Sequence, residues 1–212
     1  IVAVEPTECP TMLYNGYGAH NIQGIGDKHI PLIQNVMNTD AVACVSDASC
    51  DQLNALFNTD VGRAYLADRQ GIDQRLVGEL SHLGLSGIAN VLAAIKTARH
   101  FDLTAKDLIV TVATDSSGLY DSERDKTVGA EFAGNFDAVS AGETFSRHVG
   151  LVDAGVSADE PVPCLGNQDA PNRVHAHDCG ALPEHKLDKP GVALGALGVI
   201  WYGVRAGVVG HL

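Results

Sequence analysis

A chain of 212 residues that is 45% hydrophobic is long enough to bury a core, as one large domain or a domain with an appendage. Its net charge of -12, with only 14 Lys and Arg, excludes a nucleic-acid or acidic-membrane surface, although backbone amides can still hold a small anion. Five cysteines (Cys9, Cys44, Cys50, Cys164, Cys179) form an odd set without C-x-x-C, which argues against a disulfide framework or zinc ribbon and for a reducing, cytoplasmic setting.

Ile1 to Val4 reads as a short buried strand, ended at Glu5-Pro6 because proline cannot donate to a ladder. The opening IVAVEP has no basic n-region and Glu5 and Glu8 follow early, so no secretory signal is expected. A strand at residue 1 with no initiator methionine is expected of a piece of something longer. From Thr7 to Pro31, Gly16, Gly18, Gly24 and Gly26 with Pro10 and Pro31 indicate a long irregular excursion. Its Gln23-Gly24-Ile25-Gly26-Asp27 stretch is too short for a dinucleotide fingerprint.

Asp40 to Val45 is a second apolar run, and Ser46 or Asp47 is a natural N-cap for a helix over Ala48 to Tyr65. Leu53, Leu56, Phe57 and Val61 carry its helical spacing. Ala64 to Glu79 extends or repeats helix, with boundaries blurred by Gly62, Gly71 and Gly78. Gly84-Leu85-Ser86-Gly87 then opens an amphipathic helix from about Gly87 to Phe101, with Ser86 able to cap it. Ile88, Val91, Leu92 and Ile95 form the apolar stripe, and Lys96, Arg99 and His100 complement the C-terminal dipole.

Leu108 to Ala113 suits a strand covered on both faces, since polar alternation is absent apart from Thr111. Thr114, Asp115, Ser116, Ser117 and Gly118 follow at its carboxyl end, where ligands of α/β sheets bind. The plainer alternative is an Asx/Ser turn that satisfies backbone groups. Strand, long loop, strand, helix, helix, strand is an α/β order with a mostly parallel sheet. So small a sheet leaves edges uncovered, and an N-terminal part supplied from elsewhere is expected.

Ser122 to Leu151 is mixed polar and reads as a surface helix. Past Val156 prolines accumulate and periodicity disappears, as in an extended arm. His175-Ala176-His177-Asp178-Cys179 offers soft ligands, but the spacing fits no standard zinc module and a solvated loop is the reading retained. Val192 to Leu212 is apolar and glycine-rich. Its uninterrupted part, Val192 to Val204, is short of a bilayer span, so packing on the domain or on a partner is expected rather than membrane insertion.

Taken together, three segments resemble the second half of the fold-type II pyridoxal-phosphate enzymes, the family of cysteine synthase, cystathionine β-synthase and threonine synthase. VAVEPTECPTMLYNGYGAHNIQGIGDKHIP is similar to that family's strand, Glu-Pro and Ile-Gln-Gly-Ile-Gly stretch ahead of an Ile-Pro. GLSGIANVLAAIKTA resembles its Ser-Gly-Ala helix start, and TVATDSSGLY its strand followed by Pro-Ser-Ser-Gly or Pro-Asp-Ser and a tyrosine. The resemblance covers Ile1 to about Arg124 and implies part of a three-layer sandwich over 1–124; outside it, composition and lost periodicity suggest a surface helical extension over 125–158 and a tail of uncertain order over 159–212.

By that resemblance Ser116 falls where the family's serine hydrogen-bonds the pyridine nitrogen. A hydroxyl there tempers the electron sink and suits β-elimination and β-replacement on a small amino acid of the serine, activated-serine or threonine type. Asp115 beside it competes for the same role. Gly24 and Gly26 match the loop beside the cofactor, and Ser86 and Gly87 begin the helix below the ring. The family's Schiff-base lysine, substrate loop and phosphate cradle precede the Val-Glu-Pro strand. None of the six lysines here (Lys28, Lys96, Lys106, Lys126, Lys186, Lys189) is a good substitute, so this chain alone is expected to be inactive. The resemblance therefore implies a missing N-terminal half or partner subunit and a homodimer. The alternative is a truncated, non-catalytic homologue that serves as a binding or interaction module.

Overall fold

Two apolar runs make the first sheet. In the computed structural model, which describes residues 1–104, 106–150 and 202–203, β1 (Val2–Pro6) and β2 (Ala41–Val45) pair in parallel, from Val2 opposite Ala41 to Pro6 opposite Val45. The strand runs further than Val4: Pro6 sits at its end, and Thr7 N takes the next ladder bond to the Val45 carbonyl at 3.0 Å. Every residue of β2 is buried, as its unbroken apolar sequence requires. Between the two strands the chain makes the expected excursion, which holds a short α-helix, α1 (Thr11–Tyr14), and a 3-10 turn (Val36–Asn38). The buried Glu5 carboxylate anchors that helix, accepting from Met12 N and Leu13 N at 2.9 Å each.

α2 (Asp47–Asn58) starts at Ser46, whose hydroxyl accepts from Ser49 N. The helix expected to reach Tyr65 breaks at Thr59, because Thr59 caps a new helix, α3 (Asp60–Ala64), by accepting from Gly62 N at 3.1 Å. Gly62 is required there, since a Cβ would collide with the Leu56 carbonyl. A π-helical turn (Tyr65–Arg69) leads to α4 (Gln74–Glu79), capped by Asp73. Next is α5 (Leu85–His100), the longest described helix, with Leu85, Ile88, Ala89, Leu92 and Ile95 on its buried side.

β3 is confined to Val112–Ala113 and pairs in parallel with β4 (Tyr202–Gly203). This corrects the expectation of a strand buried on both faces. Leu108, Val110 and Val112 are 58%, 59% and 54% exposed, and of the run only Val112–Ala113 forms a strand, with β4 as its partner and α5 packed on it. An apolar run predicts burial only where neighbours exist to supply it.

Beyond residue 124 the chain goes on feeding the main core. α6 (Asp121–Glu131) and α7 (Ala138–Phe145) pack on α2 and bring Phe136, Ala141, Phe145 and Val149 into the cluster that holds Leu53, Leu56, Leu66 and Ile88. The fold is mixed α/β, mostly helical, with small parallel strand pairs. No helix among the described residues is long and apolar enough to cross a membrane. The H-x-H-x-C stretch and nearly all of the apolar C-terminal segment lie outside the described residues.

Candidate functional site

The N-terminal end of α5 is where the sequence candidates meet. Its N-cap is Gly84, in extended backbone and with no side chain to offer. This corrects the expected capping role of Ser86, which lies inside the first turn. The Ser86 side chain, 3% exposed, instead bonds the Thr114 hydroxyl across 2.8 Å. That bond ties α5 to the end of β3, and Asn90 Nδ2 adds a second tie to the Val112 carbonyl at 3.1 Å.

Gly24 approaches the same spot from the excursion. It has φ +90, a conformation that L side chains rarely adopt, and a Cβ on it would lie 3.7 Å from Ser86 Oγ. Thr114 is exposed, Asp115 half-buried and Ser116 exposed, so the strand end opens outward next to Ser86 and Gly24. Ser116 precedes a 3-10 turn (Ser117–Leu119) and accepts from Leu119 N through its carbonyl, while its hydroxyl caps nothing. Ser117 differs: it is buried and donates to the Ser81 carbonyl at 2.9 Å.

Asp115 turns toward α5. Its carbonyl accepts from Gly84 N at 3.0 Å, one carboxylate oxygen accepts from the Tyr120 hydroxyl, and the other lies 3.3 Å from the Thr114 hydroxyl. A Cβ on Gly84 would strike that carboxylate and come within 2.7 Å of the Tyr120 ring. Burial, and then the Asp115 bond, push the Tyr120 phenol up to about 12.

The structure thus brings Gly24, Ser86, Thr114 and Asp115 to the start of α5, and Ser116 follows Asp115 in the chain. Gly26 faces elsewhere: a Cβ on it would lie 2.7 Å from His20 Nε2 and 2.8 Å from the Pro6 ring. Gly87 is buried on the core side, where its missing Cβ leaves 3.2 Å to Leu83. Reading the sequence missed the parts of Gly84 and Tyr120. A glycine immediately before a helix with no other cap was a usable signal for the first; the second depends on a contact that no local pattern reveals.

No protein-family model matches this chain, and neither a curated protein nor a solved structure is similar to it at a significant level.

The start of α5 and the strand end beside it present a neutral hydroxyl at Ser116, a side-chain-free approach at Gly24, and the uncapped first turn of a 16-residue helix. Among the described lysines, Lys96 Nζ donates to the Cys44 carbonyl at 2.7 Å, and Lys126 pairs with Glu123. Lys28 and Lys106 are on the exposed surface.

Proposed function

We propose that this chain is the C-terminal portion of a pyridoxal-phosphate-dependent enzyme of the β-elimination or β-replacement class, acting on a small amino acid. The observation that supports it most is the convergence of Gly24, Ser86 and Thr114 at the start of α5, with Ser116 two residues further along the chain. Bound there, the cofactor would supply an electron sink for chemistry at the substrate α-carbon. Ser116 would offer its hydroxyl to the ring nitrogen without putting a full negative charge beside it. Gly24 would admit the ring edge where a side chain would fill the space. Ser86 and Thr114 hold the strand end and the helix start in fixed relation, so that the wall is formed before the cofactor arrives.

The lysine, the phosphate cradle and the substrate loop would come from an N-terminal half or partner subunit. With them the parallel strands would extend into a three-layer sandwich, in a cytoplasmic homodimer. The free thiols of Cys9, Cys44 and Cys50 are in keeping with that compartment.

Borohydride reduction in the presence of pyridoxal phosphate tests the division of labour. The chain alone should take up no more label than its denatured control, and the chain joined to the N-terminal half should label stoichiometrically. Stoichiometric labelling of a lysine of this chain by itself would overturn the proposal.

A further inference from the structure

Asp115 and Ser116 are neighbours at the strand end, and either could supply the group facing a ring nitrogen. The two would do opposite things. A carboxylate favours the protonated nitrogen and a strong electron sink, whereas a hydroxyl leaves the nitrogen neutral. Which residue faces the ring is decided by what holds the other one.

We infer that Tyr120 is a positioning residue that, with Thr114, holds the Asp115 carboxylate over Gly84 at the start of α5 and so leaves Ser116 as the ring-nitrogen contact. The inference rests on the cofactor reading above. Three contacts converge on Asp115: the Tyr120 hydroxyl on one oxygen, Thr114 Oγ1 at 3.3 Å on the other, and Gly84 N on the backbone carbonyl at 3.0 Å. The carboxylate occupies the space that a Cβ on Gly84 would need, so the missing side chain at the cap is the seat for the acid. Its charge there lies against the positive end of the 16-residue α5, which has no side-chain cap of its own. Tyr120 is 5% exposed, so its hydroxyl gives up little hydration by staying on Asp115. The high phenol pKa, about 12, is what a carboxylate acceptor in a partly buried setting produces. Ser116 has no comparable restraint on its side chain and is exposed.

The test has two arms. In the ligand-free chain, absorbance titration of the phenols should show the Tyr120 midpoint falling below its wild-type value of about 12 in Asp115→Asn, while burial still holds it above that of a free phenol. An unmoved midpoint would overturn the clamp whatever the cofactor does. In the cofactor-loaded protein, ring-labelled (15N) pyridoxal phosphate should report an unprotonated nitrogen in wild type and in Asp115→Asn. Tyr120→Phe should shift the signal toward the protonated position, and the double variant Tyr120→Phe/Asp115→Asn should restore it. A merely structural Tyr120 would not be rescued in that way, and an unshifted signal in Tyr120→Phe would overturn the inference. Failure of the wild-type chain joined to the N-terminal half to hold the labelled cofactor would overturn the cofactor reading, and this inference with it, while leaving the phenol result standing.

Discussion

The hydroxyls of Ser86 and Thr114 meet across 2.8 Å, joining the first turn of α5 to the end of β3 over a sequence separation of 28 residues. This bond sets the spacing of the wall on which Gly24 and Ser116 are placed. Ser86→Ala should cost about 1 kcal/mol of stability, the usual worth of such a bond, as read from chemical denaturation. Thr114→Val should cost about the same, and the double variant less than the sum of the two, because both remove one interaction. Additive losses would show that the hydroxyls act independently.

The two glycines of the excursion should separate by mechanism. Gly24→Ala has room, with its nearest neighbour at 3.7 Å, so only the positive φ opposes it, at a cost of about 1 kcal/mol. Gly26→Ala has a positive φ too, and its Cβ would also press on the Pro6 ring, which should add about 1–3 kcal/mol. Thermal unfolding of the two variants checks the order. Cofactor affinity should fall in Gly24→Ala, whose methyl enters the wall, more than its small loss of stability alone would explain.

Much of this arrangement was legible from the sequence. The apolar run of β2, the Ser46 cap and the stripe of α5 are local patterns, and local patterns are what periodicity and capping chemistry report. The polar cluster from Thr114 to Gly118 stood out for the same reason. What could not be read was set by distant partners. Ser86 could be a cap or a cross-link, and only its approach to Thr114 decides. Asp115 could face the ligand or the helix, and Tyr120 and Gly84 decide that. The Leu108–Val112 run is apolar, yet whether it is covered depends on elements far along the chain or beyond it.

A pH dependence follows from His148. Its Nε2 lies 2.7 Å from Gln52 Oε1 with both residues buried, and the Gln52 amide donates in turn to the exposed Glu131, linking α2, α6 and the turn after α7. Burial, and then the Arg147 charge, lower the His148 pKa from 6.5 to about 4. The unfolded chain therefore binds the proton first as pH falls, so this contribution is complete above 6.5 and is lost on acidification toward 4. It amounts to something on the order of 3 kcal/mol. Asp51, pushed up to about 6 chiefly by burial, slopes the other way, so the comparison must be made against a variant. Relative to wild type, His148→Gln should gain stability as pH falls from 6.5 toward 4, as measured by urea unfolding at a series of pH values. Parallel curves would contradict the assignment.

The most direct measurement compares Ser116→Ala with Ser117→Ala in the cofactor-loaded protein, reading pyridoxal-phosphate affinity and melting temperature together. Ser116 is exposed and its hydroxyl caps nothing, so its alanine variant should melt as wild type does within about 0.5 kcal/mol. It should nonetheless bind the cofactor about tenfold more weakly, a change of about 1.4 kcal/mol. Ser117 is buried and bonded to the Ser81 carbonyl, so its variant should lose about 1 kcal/mol of stability and keep the affinity. A larger loss of affinity in Ser117→Ala, or wild-type affinity in Ser116→Ala, would contradict the placement of the cofactor at Ser116.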